Sequence, residues 1–209
     1  MTIVAHSFGP VLVARYAQAY PRRVRRLVFL GAIGPRLADT YDYARAVYER
    51  MSASQRTRMA ELARRMQAGD AGDPVALCRD HEALGRDVER SIGIPAGARG
   101  TQCAAPPSAQ RYAQRYTSRV TFGSLGAWDF TRPSGALTGV EAPLLVVWGD
   151  RDPSPIASQR AWAAAVADGR LLVVPGAGHA PHAERPDVVL PAIERFLAGQ
   201  WPEGAAPER

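Results

Sequence analysis

The sequence predicts an α/β fold: a parallel sheet interrupted by a mostly helical insertion. Three observations predict it. Residues 1–31 run strand, sharp turn, helix, strand; residues 143–197 return to the same alternation; and the stretch between them carries helical periods. With 46% hydrophobic and 22% charged residues over 209 positions, the chain can bury a core, which excludes a disordered tail, a collagen-like repeat and a coiled coil.

Thr2-Ile-Val-Ala5 reads as a buried strand with no lead-in, and His6-Ser-Phe-Gly9 follows at once as a turn. From Pro10 to Tyr20 the apolar positions Val11, Leu12, Ala14, Tyr16 and Ala19 keep a helical period that Pro21 closes. Arg25–Gly31 is a second apolar strand, and strand, helix and strand of this length make a parallel βαβ unit. Helical periods then cover Ala38–Met51, Ser54–Ala68, Pro74–Arg90 and Ala109–Ser118, with the Gly/Pro-rich stretch Gly93–Pro107 between the last two. Strand Pro143–Trp148, helix Ile156–Ala167, strand Arg170–Val174 and helix Val188–Leu197 follow, and the Pro/Gly/Glu-rich tail is expected to fray. The resulting division is a core at 1–35, an insertion at 36–137, a second core segment at 138–200 and a tail at 201–209.

No apolar run approaches the ~18–20 residues of a membrane span, so no membrane partner is expected. All 26 basic residues are arginine and the net charge is +6, but the arginines are spread among acids with no basic block interleaved with aromatics, which argues against nucleic acid. Cys78 and Cys103 match no metal spacing; they can pair, but two thiols in a chain of this size are expected to be free, as in a reducing cytoplasm. No metal and no cofactor are expected, and the N-terminus carries no targeting signal, so the cytoplasm is the expected compartment.

In open α/β sheets ligands sit beyond the carboxyl ends of the strands. After the first strand stands Ala5-His6-Ser7-Phe8-Gly9, a small-x-Ser-x-Gly pattern whose small ends permit a tight strand-to-helix turn that lifts the serine hydroxyl clear of the sheet. Ser-x-Gly recurs at Ser91 and Ser124, without the small residue two positions earlier. The competing reading makes Ser7 a helix cap. After the third strand comes Gly149-Asp-Arg-Asp152 with two carboxylates, and after the fourth Gly176-Ala-Gly-His179-Ala-Pro-His182 with two histidines. Serine, aspartate and histidine thus follow successive strands, the order of a nucleophile, an orienting acid and a base.

These segments resemble the α/β-hydrolase superfamily and, within it, the proline iminopeptidase-like branch of serine peptidases. The similarity lies in Ala5–Gly9, Tyr20–Val28, Trp128-Asp129, Ala142–Asp152 and Gly176–Pro186, while the helical insertion is similar only in position and length to the family's cap. The resemblance implies Ser7 as nucleophile, Asp152 as acid in preference to Asp150, His179 as base and the Phe8 N–H as an oxyanion donor, with His6 and His182 structural or pocket-lining. It implies an aminopeptidase of proline iminopeptidase type on short peptides, with an esterase or amidase on small substrates, or a non-catalytic fragment, as the alternatives. For substrate binding, Glu82, Glu89 and Trp128 are the candidates. The family's strands before the elbow and its His-Gly oxyanion loop have no counterpart here, so the chain is expected to be the C-terminal portion of the fold, from the nucleophile strand onward. Thr2–Ala5 is then expected to be an exposed edge open to self-association.

Overall fold

The computed structural model describes residues 1–68, 74–92, 127–131, 137 and 139–208. Two compact units are present: Met1–Ala46 with Ile92–Ile94 and Trp128–Arg209, and Val47–Ser91 with Pro95–Ala127.

The first unit is built on a five-stranded sheet in the order β1 (Thr2–His6), β2 (Arg26–Leu30), β3 (Leu144–Gly149), β4 (Gly169–Val174), β5 (Ala206–Pro207). The first four strands are parallel, with Ala5 level with Phe29, Phe29 with Val146, and Val146 with Leu171. All six residues of β3 are buried, as a strand covered on both faces requires. β1 pairs with β2 alone among the described strands and exposes Val4, so the expected edge is present.

Each face of the sheet is closed by helices. Helix α1 (Gly9–Ala19) buries Pro10, Val11, Ala14 and Ala17, one stripe at helical spacing. On one face Val28, Leu30, Leu145, Val147, Leu172 and Val174 pack with Val189, Ala192 and Phe196 of the C-terminal helix 186–197. Burying one such side chain stabilises the fold by ~1.5–3 kcal/mol. Alternate residues Phe29 and Trp162 meet edge to face at 5.1 Å, and Phe130 stacks on Trp162 at 5.4 Å. Trp162 lies on helix 156–163, which ends four residues short of the predicted Ala167. The chain comes back past this end at Gly169, which opens β4, where a Cβ would stand 1.9 Å from the Ala163 carbonyl oxygen.

That helix also shapes the end of β2: Gln159 Nε2 donates to the Ala32 carbonyl and Trp162 Nε1 to the Ile33 carbonyl, both at 2.7 Å. At the next corner Asp39 is buried and accepts from the Arg36 backbone N–H and guanidinium, and a Cβ on Gly34 would collide with its carboxylate.

The tail does not fray. Trp201 packs 4.9 Å from Phe196 and under the Arg170 guanidinium at 4.5 Å, and Ala206–Pro207 adds an antiparallel strand to β4. Its composition suggested disorder, but one indole and an available strand edge outweigh composition.

Helix 37–50 leads into the second unit, which holds helices 53–68 and 74–91; there Met51, Leu62, Leu77 and Leu84 form a small core with Val88. Cys78 is disulfide-bonded, which corrects the expectation of free thiols; pairing depends on which residues the fold brings together, which spacing does not disclose. Cys103 and the predicted helix Ala109–Ser118 lie outside the described residues. Among the described residues no helix is long and apolar enough to cross a membrane.

Candidate active site

The site forms where β1, β2, β3 and β4 end. Ser7 follows β1 with φ +61°, the left-handed region that an L residue enters at a cost of ~1–2 kcal/mol. Its backbone is held on both sides: Ser7 N–H donates to the Leu30 carbonyl (3.1 Å) and the Ile33 N–H to the Ser7 carbonyl (2.8 Å). The turn needs small flanks because a Cβ on Gly9 would come 3.2 Å from the Cβ of Ala5. Helix α1 then starts with Phe8 as N-cap, no side-chain cap and no acidic residue in its first turn, so its positive end faces the turn uncompensated. Ser7 therefore does not serve as the cap; its Oγ lies 2.9 Å from His179 Nε2.

His179 and Asp152 are both fully buried. The imidazole Nδ1 is 3.1 and 3.2 Å from the two oxygens of Asp152. A carboxylate accepts, so Nδ1 carries the hydrogen and Nε2 presents its lone pair to the Ser7 hydroxyl. Asp152 is aimed by the Ser154 N–H (2.8 Å) and by its own N–H on the Gly149 carbonyl (2.9 Å), and the loop is pinned where Trp148 Nε1 donates to the Ser154 carbonyl (2.9 Å). Asp150, the competing carboxylate, instead accepts the Gly176 N–H at 2.7 Å, bracing the histidine loop from outside.

Four supports of this loop appear in the structure, and of these the sequence reading named only His6, as structural or pocket-lining. Gly31, with φ +48°, leaves room for the His179 carbonyl: a Cβ there would stand 2.2 Å from that oxygen and 3.2 Å from Asp152 Oδ2. Glu184 accepts from the Gly178 and Ala180 N–H groups (2.9 and 3.2 Å), and the ring of Tyr43 lies 5.0 Å from that of His179. His6 bonds the His179 carbonyl through Nε2 at 2.8 Å. A glycine ending an apolar strand was the one signal available for Gly31, since it marks close backbone approach; Glu184 lies four and six residues from the N–H groups it accepts, whereas Tyr43 and His6 are brought to His179 by the fold. His6 and His182 have rings 5.0 Å apart, and burial pushes the pKa of each below the ordinary histidine value.

Trp128 is buried edge to face against Phe8 at 5.8 Å, and its indole nitrogen has no hydrogen-bond partner among the described residues. Glu82 and Glu89 lie on helix 74–91 in the second unit, Glu82 facing Arg86 at 3.5 Å. The half-buried serine with the buried histidine and aspartate can move a proton from the hydroxyl to the imidazole while the carboxylate holds the ring.

Among curated proteins none matches this sequence. Among solved structures, a proline iminopeptidase from Mycobacterium smegmatis is similar with a TM-score of 0.59 at 20% identity, covering 95% of this chain and 64% of that one. VinJ is similar with a TM-score of 0.63 at 16% identity, covering 95% and 65%. A bromoperoxidase from Bacillus anthracis is similar with a TM-score of 0.54 at 22% identity, covering 94% and 67%. The chain thus spans less than two thirds of the length of the first two, and at these identities the likeness is one of fold. A family model described as alpha/beta hydrolase matches residues 2–192, nearly the whole parallel-sheet region together with the insertion, and by that match the chain belongs to the alpha/beta hydrolase family.

Proposed function

We propose that Ser7, His179 and Asp152 form the catalytic triad of a serine hydrolase that acts by acyl transfer. The observation that carries this reading is the 2.9 Å contact between the hydroxyl of the strained Ser7 and the bare nitrogen of a histidine whose other nitrogen is held by a buried carboxylate. Ser7 Oγ attacks a substrate carbonyl carbon and its proton passes to His179 Nε2. The same proton then goes to the departing amine or alkoxide, leaving an acyl-serine. Water, deprotonated by His179, attacks the ester and returns Ser7. Asp152 keeps the ring in one tautomer and stabilises the imidazolium. The Phe8 N–H, at the N-terminus of α1, is the proposed oxyanion donor, a role worth ~10²–10³ in rate for one donor.

The substrate reading is a short peptide with a free N-terminal residue, often proline. Support comes from the motif resemblance at Ala5–Gly9, Trp128-Asp129 and Gly176–Pro186. A small ester or amide uses the same triad chemistry. A fluorophosphonate probe tests the mechanism: it should label Ser7 and no other residue, and label persisting in Ser7→Ala would sink the assignment. Steady-state turnover of proline arylamide against aryl esters of similar size then tests the substrate. Turnover of the esters with none of the arylamide would move the reading to an esterase.

A further inference from the structure

The carbonyl of His179 has an unusual setting for a catalytic base. Gly31 gives way to it, since any side chain there would stand 2.2 Å from the oxygen, and His6 Nε2 reaches it at 2.8 Å. A carbonyl only accepts, so Nε2 of His6 carries the hydrogen, and the neutral ring has a bare Nδ1. The loop's other backbone bonds run elsewhere. Asp150 takes the Gly176 N–H, Glu184 takes those of Gly178 and Ala180, the Ala177 carbonyl accepts from the Arg151 N–H, and the His179 N–H goes to the Ile92 carbonyl. Among the described residues, the His6 bond is the backbone tether that leads back to the strand carrying Ser7.

We infer that His6 is a positioning residue whose Nε2–H holds the backbone of His179, so that nucleophile and base are kept in register through two adjacent residues at the end of β1. The inference rests on reading Ser7 and His179 as nucleophile and base. Two links close one small ring of structure: Ser7 Oγ to His179 Nε2 at 2.9 Å, and His6 Nε2 to His179 O at 2.8 Å. Without the second, the loop keeps its bonds to Asp150, Arg151, Glu184 and Ile92, but among the described residues no backbone bond ties His179 to the strand that carries Ser7, and the imidazole can shift relative to the hydroxyl. A displacement of about 1 Å between reacting groups costs ~10²-fold in rate.

The surroundings of His6 suit a neutral ring. His179 lies 5.1 Å away and His182 5.0 Å away, centroid to centroid, and burial, the largest influence, opposes a charge on His6 together with these two imidazoles, while the bond to the His179 carbonyl and, more weakly, Asp152 act the other way, with the net direction downward. A cation at His6 would oppose the imidazolium that forms on His179 during attack; a neutral donor does not.

The test uses the full chain with His6→Leu, which keeps volume and removes the donor, and His6→Gln, whose side-chain amide offers an N–H at similar reach. The first readout is the proton NMR signal of His179 Nδ1–H on Asp152, assigned by its loss in Asp152→Ala. The second is the rate of fluorophosphonate labelling at Ser7. Expected are a broadened or lost proton signal and ~10²-fold slower labelling in His6→Leu, with both recovered to within about tenfold in His6→Gln. A sharp, unshifted signal and a labelling rate within about twofold of the parent in folded His6→Leu would overturn the inference. If His6→Leu does not fold, His6→Asn, one carbon shorter than Gln, takes its place, and equal spectra and rates for Asn and Gln overturn it. A parent chain that takes no label refutes the hydrolase reading, and the proton signal still decides the role of His6.

Discussion

Replacing Gly31 by alanine tests how far the site depends on one absent side chain. The new Cβ would lie 2.2 Å from the His179 carbonyl oxygen and 3.2 Å from Asp152 Oδ2, and the backbone there has φ +48°. Ordinary contact begins near 3.4 Å, so the carbonyl must retreat by about 1 Å, and the His6 bond at 2.8 Å is distorted with it. Two costs follow. Left-handed backbone for alanine costs ~1–2 kcal/mol, and overpacking a tight site costs ~1–3 kcal/mol, so stability should fall by roughly 2–5 kcal/mol. Separately, a base displaced by ~1 Å should slow labelling of Ser7 by ~10²-fold per folded molecule. The assay is fluorophosphonate labelling below the unfolding transition, with the folded fraction measured in parallel. Labelling within about twofold of the parent in folded Gly31→Ala would show that the His179 carbonyl does not set the base, and the reasoning would fail.

Three further outcomes are expected. Asp152→Asn should lower kcat by ~10⁴-fold, because the amide stabilises the wrong tautomer, while Asp150→Asn should stay within a few-fold since it meets the loop backbone and not the imidazole; steady-state kinetics of both decide. Thermal unfolding from pH 7.5 to 5 should show stability falling as pH drops through about 6.5: His6 and His182 are held below their ordinary value by burial, so the unfolded chain binds protons the native one refuses. The loss should level off below the native pKa values, and should shrink in the His6→Gln, His182→Gln double variant. Gly85→Ala, in the middle of helix 74–91 with nothing within 4 Å of the new methyl, should stabilise the chain by ~0.5–1 kcal/mol in denaturant melts, and a loss of stability there would contradict the open setting.

The difference between what could be read and what could not follows the sequence distance over which each feature is decided. The elbow is local: Ala5 and Gly9 are four residues apart, and the same shortage of space that brings their Cβ positions to 3.2 Å is visible in the residue types alone. The parallel sheet was legible for a similar reason, since each strand is a short apolar run ended by a turn, and runs such as 144–149 are buried throughout. The serine, aspartate and histidine the sequence singled out meet because each stands in the turn or loop after a strand of that sheet, Ser7 next to β1, Asp152 and His179 within a few residues of β3 and β4, so the topology brings them to one edge. The choice of Asp152 over Asp150 was carried by resemblance, and its physical basis appears only in three dimensions, where the two carboxylates separate to opposite duties: one on the imidazole, one on a backbone N–H. Nothing in the sequence pairs His6 with a carbonyl 173 positions away, or Trp201 with Arg170. At this site the side chains that present the chemistry are written as local patterns, whereas of His6, Gly31 and Glu184, which hold the histidine's backbone in place, the first two are selected by long-range approach and only Glu184 acts within its own loop. Substitutions among these three should therefore show the sharpest contrast between a retained fold and an altered rate.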